Sequence, residues 1–120
     1  MTRAEFGLVV EYVNDIEAAK RFYVDVLGMQ VEREAPNYVQ FGRFAIASDQ
    51  PLAGTGEPEL YWFVEDAEES FRDLSGKAEV ALPLTQQPFG KVFGVKDTEG
   101  MTCFVLELAQ NRPSTPAGEG

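Results

Sequence analysis

The residue types most often used in catalysis and metal binding, histidine and cysteine, are almost absent from this chain, and this narrows the candidate functional residues. Its 120 residues include no histidine and one cysteine, Cys103. Cys103 lies in an apolar stretch, so we interpret it as a buried structural thiol rather than a nucleophile. A lone cysteine also excludes an internal disulfide and a cysteine metal cluster. Carboxylates remain the main candidates for polar chemistry, and Glu59, at the start of an aromatic-rich strand pattern, is the one we single out.

Composition limits the class of partner. The net charge is −10 and the sequence pI is about 4.3, which disfavours nucleic acid because phosphates need Lys and Arg partners. The same charge permits a cationic ligand, although carboxylates spread along the chain also serve solubility. No apolar run approaches the ~20 residues of a membrane span, and the first residues lack the pattern of a secretory signal. We therefore expect no membrane partner and a cytoplasmic location.

One local pattern occurs twice. Val13-Asn-Asp15 and Val64-Glu-Asp66 each follow a strand-like segment and precede a helix-like one. Asp15 and Asp66 are predicted helix N-caps, because a carboxylate can accept the unpaired amides of a first helical turn. Gly28 is a predicted C-cap, since glycine adopts the left-handed conformation at little cost.

The segments after each helix read as further strands, so both halves have a predicted β-α-β-β-β order. We expect one domain over residues 1–110, with module one at 5–48, a linker at 49–58 and module two at 59–109. Residues 29–35 are a predicted strand and residues 83–90 a predicted loop. The tail, residues 111–120, has no apolar anchor and is expected to be disordered.

Four short motifs carry a family resemblance: residues 13–23, Val26-Leu-Gly-Met29, Pro88-Phe-Gly90 and Asp97-Thr-Glu-Gly100. In this order on a duplicated pattern, they resemble the vicinal oxygen chelate superfamily of glyoxalases, bleomycin resistance proteins and extradiol dioxygenases. The resemblance implies an α+β fold in which two βαβββ modules form a curled mixed sheet around a cleft. It also implies a homodimer.

The resemblance further implies a divalent metal in enzymatic members, and this chain departs from that scheme. The family's metal-ligand positions fall on Leu8, Glu59 and Phe104, and residues 44–48 offer no carboxylate. Leu and Phe cannot donate to a metal. Glu107 lies near Phe104 in sequence, but in a regular strand it points to the opposite face, and only a bulge would bring it round. We therefore predict no metal centre and no cofactor.

Strand alternation and the implied family geometry give a set of cavity-facing candidates. For any one of the aromatic candidates, ordinary core packing is the competing interpretation, and for Glu59 it is an exposed strand start. Glu11 falls on the predicted helix-facing side, which leaves open whether it reaches solvent or the register of the first strand is shifted by one. The predicted ligand-binding residues are Leu8, Tyr12, Tyr38, Phe44, Glu59, Tyr61, Phe89, Phe93 and Phe104.

Three functional hypotheses follow. The first is a metal-free protein that binds or sequesters a small aromatic or cationic organic ligand, in some cases an antibiotic, as the bleomycin resistance group does. The second is an enzyme: either a lyase or isomerase with Glu59 as general base, or a metal-dependent dioxygenase or glyoxalase with atypical ligands. The third is a structural or regulatory module whose cavity is filled by its own side chains.

Overall fold

The computed structural model of the chain describes residues 2–49 and 57–109. The predicted tail and most of the predicted linker lie outside the described residues. In chain order the first half contains β1 (Glu5–Tyr12), α1 (Ile16–Arg21), a π-helical segment (Phe22–Val26), β2 (Arg33–Ala35), β3 (Tyr38–Gln40) and β4 (Phe44–Ala47). The second half contains β5 (Glu59–Phe63), α2 (Ala67–Leu74), β6 (Val80–Gln87), β7 (Gly90–Lys96) and β8 (Thr102–Leu108).

This order confirms the prediction of two βαβββ modules. The described residues form two compact units, one within residues 7–61 and the other made of residues 2–6 and 62–109. The first unit includes the start of β5, so Glu59 and Tyr61 belong to it. Among the described residues, no helix is long and apolar enough to cross a membrane.

Strands of the first unit form a mixed sheet in the order β2-β3-β4-β1. β2, β3 and β4 are antiparallel neighbours, whereas β1 pairs with β4 in parallel. A parallel pair needs a long connection between its strands. The connection between β1 and β4 is long enough because it contains α1, the π-helical segment, β2 and β3.

The predicted helix caps are confirmed. Asp15 accepts a hydrogen bond from the Ala18 amide at 3.0 Å, and Asp66 accepts one from the Glu69 amide at 3.1 Å. Gly28 has φ of 73°, the left-handed conformation that ends the first helical segment. The two Val-x-Asp motifs therefore act as local start signals for the helices.

Two strand predictions need correction. The predicted strand at 29–35 is ordered as a strand only over Arg33–Ala35. The predicted loop at 83–90 is wrong, since β6 continues through Pro83 to Gln87. Proline fits there because β6 lies at the edge of the β5-β8-β7-β6 group and its pairing with β7 is irregular around Leu82.

Each module packs one face of its strands against its helix. In the first unit Val39, Phe41 and Ile46 form a core against α1 and Tyr23 of the π-helical segment. In the second, Phe93, Val95 and Val105 pack against Phe71 and Leu74 of α2. We call the other side of the first unit's strands the helix-free face, and the candidate site lies there.

Candidate functional site

The register of the first unit places several polar and aromatic side chains on its helix-free face. Tyr12 of β1 and Tyr38 of β3 both pair with Ala47 of β4, and Val10 pairs with Ala45. Because side chains alternate along strands, all five point away from the helix-facing core formed by Val39 and Ile46. Small alanines therefore separate two tyrosines on this face.

Glu59 is the polar centre of this face. Its side chain is 3% exposed, and Oε1 accepts a hydrogen bond from the Tyr12 hydroxyl at 2.7 Å and one from the Tyr61 hydroxyl at 3.0 Å. We call Glu59, Tyr12 and Tyr61 the Glu59 cluster. A buried carboxylate is costly unless it is hydrogen-bonded, so the two phenols stabilise it.

Burial and hydrogen bonding keep both phenols protonated. Burial first, and then the hydrogen bond to Glu59, raise the pKa of Tyr12 above its ordinary value. Burial also raises the pKa of Tyr61, with further contributions from Tyr12 and Glu59. The two hydroxyls therefore remain donors over the physiological pH range, and the cluster offers an acceptor with an aromatic surround.

A second carboxylate–tyrosine contact lies on the opposite face of β1. Tyr23 donates to Oε1 of Glu11 at 2.6 Å, and this hydrogen bond is partly buried. We call these residues the Glu11 pair. The hydrogen bond, followed by burial, raises the pKa of Tyr23 to about 12. The open question about Glu11 is thereby answered, because Glu11 meets the helical segment and β1 keeps the predicted register.

Tyr38 belongs to a polar group that we did not predict. Its hydroxyl donates to Gln40 Oε1 at 2.8 Å, and Gln40 Nε2 donates to the Gly42 carbonyl at 2.8 Å. Burial raises the pKa of Tyr38. The signal was present in the sequence, since Tyr38 and Gln40 are two apart and so share a strand face.

Some predicted site residues share the expected face within their own unit. Leu8 lies on the helix-free face two residues before Val10, by strand alternation. Phe104 of β8 pairs with Gly94, whereas its neighbour Val105 pairs with Phe93 of the helix-facing core, so Phe104 lies on the other face. The Phe104 side chain is 1% exposed.

Phe44, Phe93 and Phe89 differ from the expectation. Phe44 packs edge-on against Tyr23 at 4.9 Å between ring centroids, and Phe93 does the same with Phe71 at 5.2 Å. Both side chains therefore point toward the helices, whereas we expected them on the opposite face of their strands. Phe89 is 43% exposed.

The side chains present do not fit the family's divalent metal. Within residues 2–49 and 57–109, no three side chains of His, Cys, Asp and Glu come together in a group that could hold a metal ion. Glu59 carries two phenol hydrogen bonds instead. Glu107 turns to the helix side, where its Oε1 accepts from the Ala67 amide at 3.0 Å. As a single hydrogen-bond acceptor, the Glu59 carboxylate suits an N–H or O–H group better than a divalent metal ion, which needs several oxygen ligands.

Comparison with solved structures shows the same architecture in proteins of several described activities. A chain described as NAD-dependent benzaldehyde dehydrogenase from Legionella pneumophila is 25% identical, with TM-score 0.74 over 85% of this chain and 98% of that one. A glyoxalase/bleomycin resistance protein/dioxygenase superfamily member from Vibrio splendidus is 22% identical, with TM-score 0.65 over 89% of this chain and 99% of that one.

Methylmalonyl-CoA epimerase from Mycobacterium tuberculosis is 19% identical, with TM-score 0.63 over 88% of both chains. These described activities differ, so the structural likeness identifies the fold and not a reaction. No protein with a curated description matches the chain.

A family model described as Glyoxalase/Bleomycin resistance protein/Dioxygenase superfamily matches residues 6–103. This range runs from β1 to the first residues of β8 and includes the four motifs that carried the resemblance. The chain therefore belongs to the glyoxalase/bleomycin resistance protein/dioxygenase superfamily.

Proposed function

We propose that this protein binds a small aromatic or cationic organic ligand at the Glu59 cluster without a metal ion. The observation that carries the proposal is the buried Glu59 carboxylate, which is held by two tyrosine hydroxyls at a position where the family's enzymes place a metal ligand. An acceptor fixed in an aromatic setting suits a ligand that combines a flat ring with a donor group.

Binding alone satisfies this site, whereas catalysis would need a further group. A general base must take a proton from the substrate and pass it on, and Tyr12 and Tyr61 beside Glu59 already donate their own protons to it. Sequestration of an antibiotic, as in the bleomycin resistance group, is the role that we favour. The enzyme hypothesis, with Glu59 as general base of a lyase or isomerase, is the alternative that the experiment below separates.

The test is thermal unfolding against a panel of bleomycin-type, mitomycin-type and other aromatic antibiotics. Parallel samples contain a chelator or added divalent metals. A ligand at 100 times its dissociation constant adds ~2.7 kcal/mol, which raises the midpoint by several degrees for a chain of this size. We expect a drug-dependent shift that the chelator leaves unchanged. A shift that requires metal would contradict the proposal, and conversion of the bound compound would favour the enzyme.

The proposal includes a cytoplasmic homodimer, the assembly that the family resemblance implies. Light scattering on the purified protein tests the dimer. A mass near 13.3 kDa, that of one chain, would contradict it.

A further inference from the structure

The Glu59 carboxylate already has hydrogen-bond donors from the protein itself. At 3% exposure it has almost no contact with solvent, and its Oε1 accepts from both Tyr12 and Tyr61. A ligand can reach this oxygen only if one of the two hydroxyls gives up its hydrogen bond. The hydroxyl that gives up its hydrogen bond is the one with which the donor group of the ligand must compete for Glu59.

Burial distinguishes the two phenols. Tyr61 is 5% exposed and its hydrogen bond to Glu59 is buried, so a displaced Tyr61 hydroxyl would gain no hydrogen bond to water in exchange. Tyr12 is the last residue of β1, is partly exposed, and makes a partly buried hydrogen bond. A displaced Tyr12 hydroxyl can therefore hydrogen-bond to water, which makes its displacement the less costly one.

We infer that Tyr12 is the specificity-determining residue of the site: its hydroxyl occupies Glu59 in the free protein and is replaced by a charged N–H donor of the ligand. This inference rests on the proposed function. If a neutral donor of the ligand replaces the phenol, one hydrogen bond to Glu59 is lost and one is formed, so the net binding free energy is small. Tyr12 and a neutral ligand donor both donate to the same carboxylate, so only a protonated amine or amidinium adds Coulomb attraction to the hydrogen bond.

The ligand class that follows is an aromatic cation with at least one N–H. Neutral isosteres fail to outcompete Tyr12, and quaternary ammonium ions have no hydrogen to donate. Tyr61 is a positioning residue in this scheme, because it stays bonded to Glu59 and holds the carboxylate in place while the ligand binds.

Three small probes test the ligand class on the unmodified protein by calorimetric titration. Benzamidine carries charge and N–H donors, benzamide carries N–H donors without charge, and phenyltrimethylammonium carries charge without N–H. We expect benzamidine to bind at least about tenfold more tightly than either of the others, because it alone combines a positive charge with an N–H donor. Affinities within about threefold of one another would overturn the ligand class.

Two substitutions test the role of Tyr12. Tyr12→Phe removes the competing hydroxyl, so benzamidine affinity should rise about fivefold and benzamide should begin to bind. Tyr61→Phe removes the positioning hydroxyl, so benzamidine affinity should fall about tenfold. If Tyr12→Phe weakens benzamidine as Tyr61→Phe does, the inference is wrong. Thermal unfolding establishes that each variant folds, and Tyr12→Leu replaces Tyr12→Phe if that variant does not.

Failure of this inference is distinguishable from failure of the proposed function. If no probe binds but an antibiotic of the panel does without metal, the ligand class is wrong and the proposed function stands. If neither probes nor panel compounds bind, both are wrong.

Discussion

Two carboxylate–tyrosine contacts lie on opposite faces of β1, and they differ in what surrounds them. Glu11 meets Tyr23 on the helix side, in a partly buried contact beside the aromatic side chains that join the helical segment to the sheet. Glu59 meets Tyr12 and Tyr61 on the helix-free face, where the carboxylate is almost fully buried. The same two residue types therefore make a local packing contact in one place and a fixed acceptor site in the other.

The two contacts differ in burial and in the tyrosine hydrogen bonds that the carboxylate accepts, and under the proposed function this difference separates a ligand site from a structural contact. A partly buried carboxylate with one donor can exchange that partner for water at little cost. The buried Glu59 carboxylate is held by the hydroxyls of Tyr12 and Tyr61 at a position that water does not reach, which fits the proposed role in ligand recognition. The Glu11 pair is thus a matched control for every test of the Glu59 cluster.

The largest expected difference is in ligand affinity. Glu59→Gln keeps the shape of the side chain but removes the charge, so benzamidine affinity should fall about a hundredfold, or ~2.7 kcal/mol. Glu11→Gln should change it by less than about twofold, because Glu11 points to the other face. Calorimetric titration of both variants measures this. Equal losses would remove the distinction between the two contacts.

The next difference is in stability. Tyr61→Phe leaves the buried Glu59 carboxylate with one hydrogen bond fewer, and we expect it to lower the free energy of unfolding by about 2 kcal/mol. Tyr23→Phe removes a donor that water can replace, and we expect a loss of about 1 kcal/mol or less. Urea unfolding of the three proteins gives these values. A greater loss from Tyr23→Phe would mean that the Glu11 pair is the more strongly coupled contact.

A smaller difference concerns alkaline pH. Both clusters raise tyrosine pKa values above the ordinary 10.0, so the folded state holds these protons more tightly than the unfolded state does. The resulting stability is complete below about pH 10 and declines as the pH rises above it. For Tyr23 the decline should be complete near its folded pKa of about 12.

Unfolding midpoints measured between pH 8 and about pH 11 test this dependence. The midpoint of the wild-type protein should fall more steeply above about pH 10 than that of Tyr61→Phe or Tyr23→Phe, because each variant lacks one of the shifted groups. Parallel curves for all three proteins would show that these tyrosines do not couple to folding.

Local signals in the sequence predicted the parts of the fold that local chemistry decides. The carboxylates of Asp15 and Asp66 begin the helices, and Gly28 ends the first helical segment, as predicted. Strand alternation also assigned Tyr12 and Glu11 to opposite faces of β1. These predictions succeed because each depends on a residue and its near neighbours only.

Other features depend on partners distant in sequence. β4 buries Ala45, Ile46 and Ala47 in succession, and β7 buries residues of both faces, so hydrophobic alternation cannot tell which side holds Phe44 or Phe93. The hydrogen bond between Tyr12 and Glu59 joins residues 47 positions apart and depends on how the strands align. Tyr12 and Glu59 were therefore among the predicted candidates, whereas the hydrogen bond between them was not predictable.

The most direct test of metal-free recognition at the Glu59 cluster is a crystal structure of the protein soaked with both benzamidine and Mn²⁺. We expect the amidinium nitrogen within hydrogen-bond distance of Glu59, with Tyr61 still bonded, Tyr12 turned to solvent, and no anomalous manganese peak at the carboxylate. A manganese ion bonded to Glu59, with both tyrosine hydroxyls displaced, would contradict this and return the site to the family's metal chemistry.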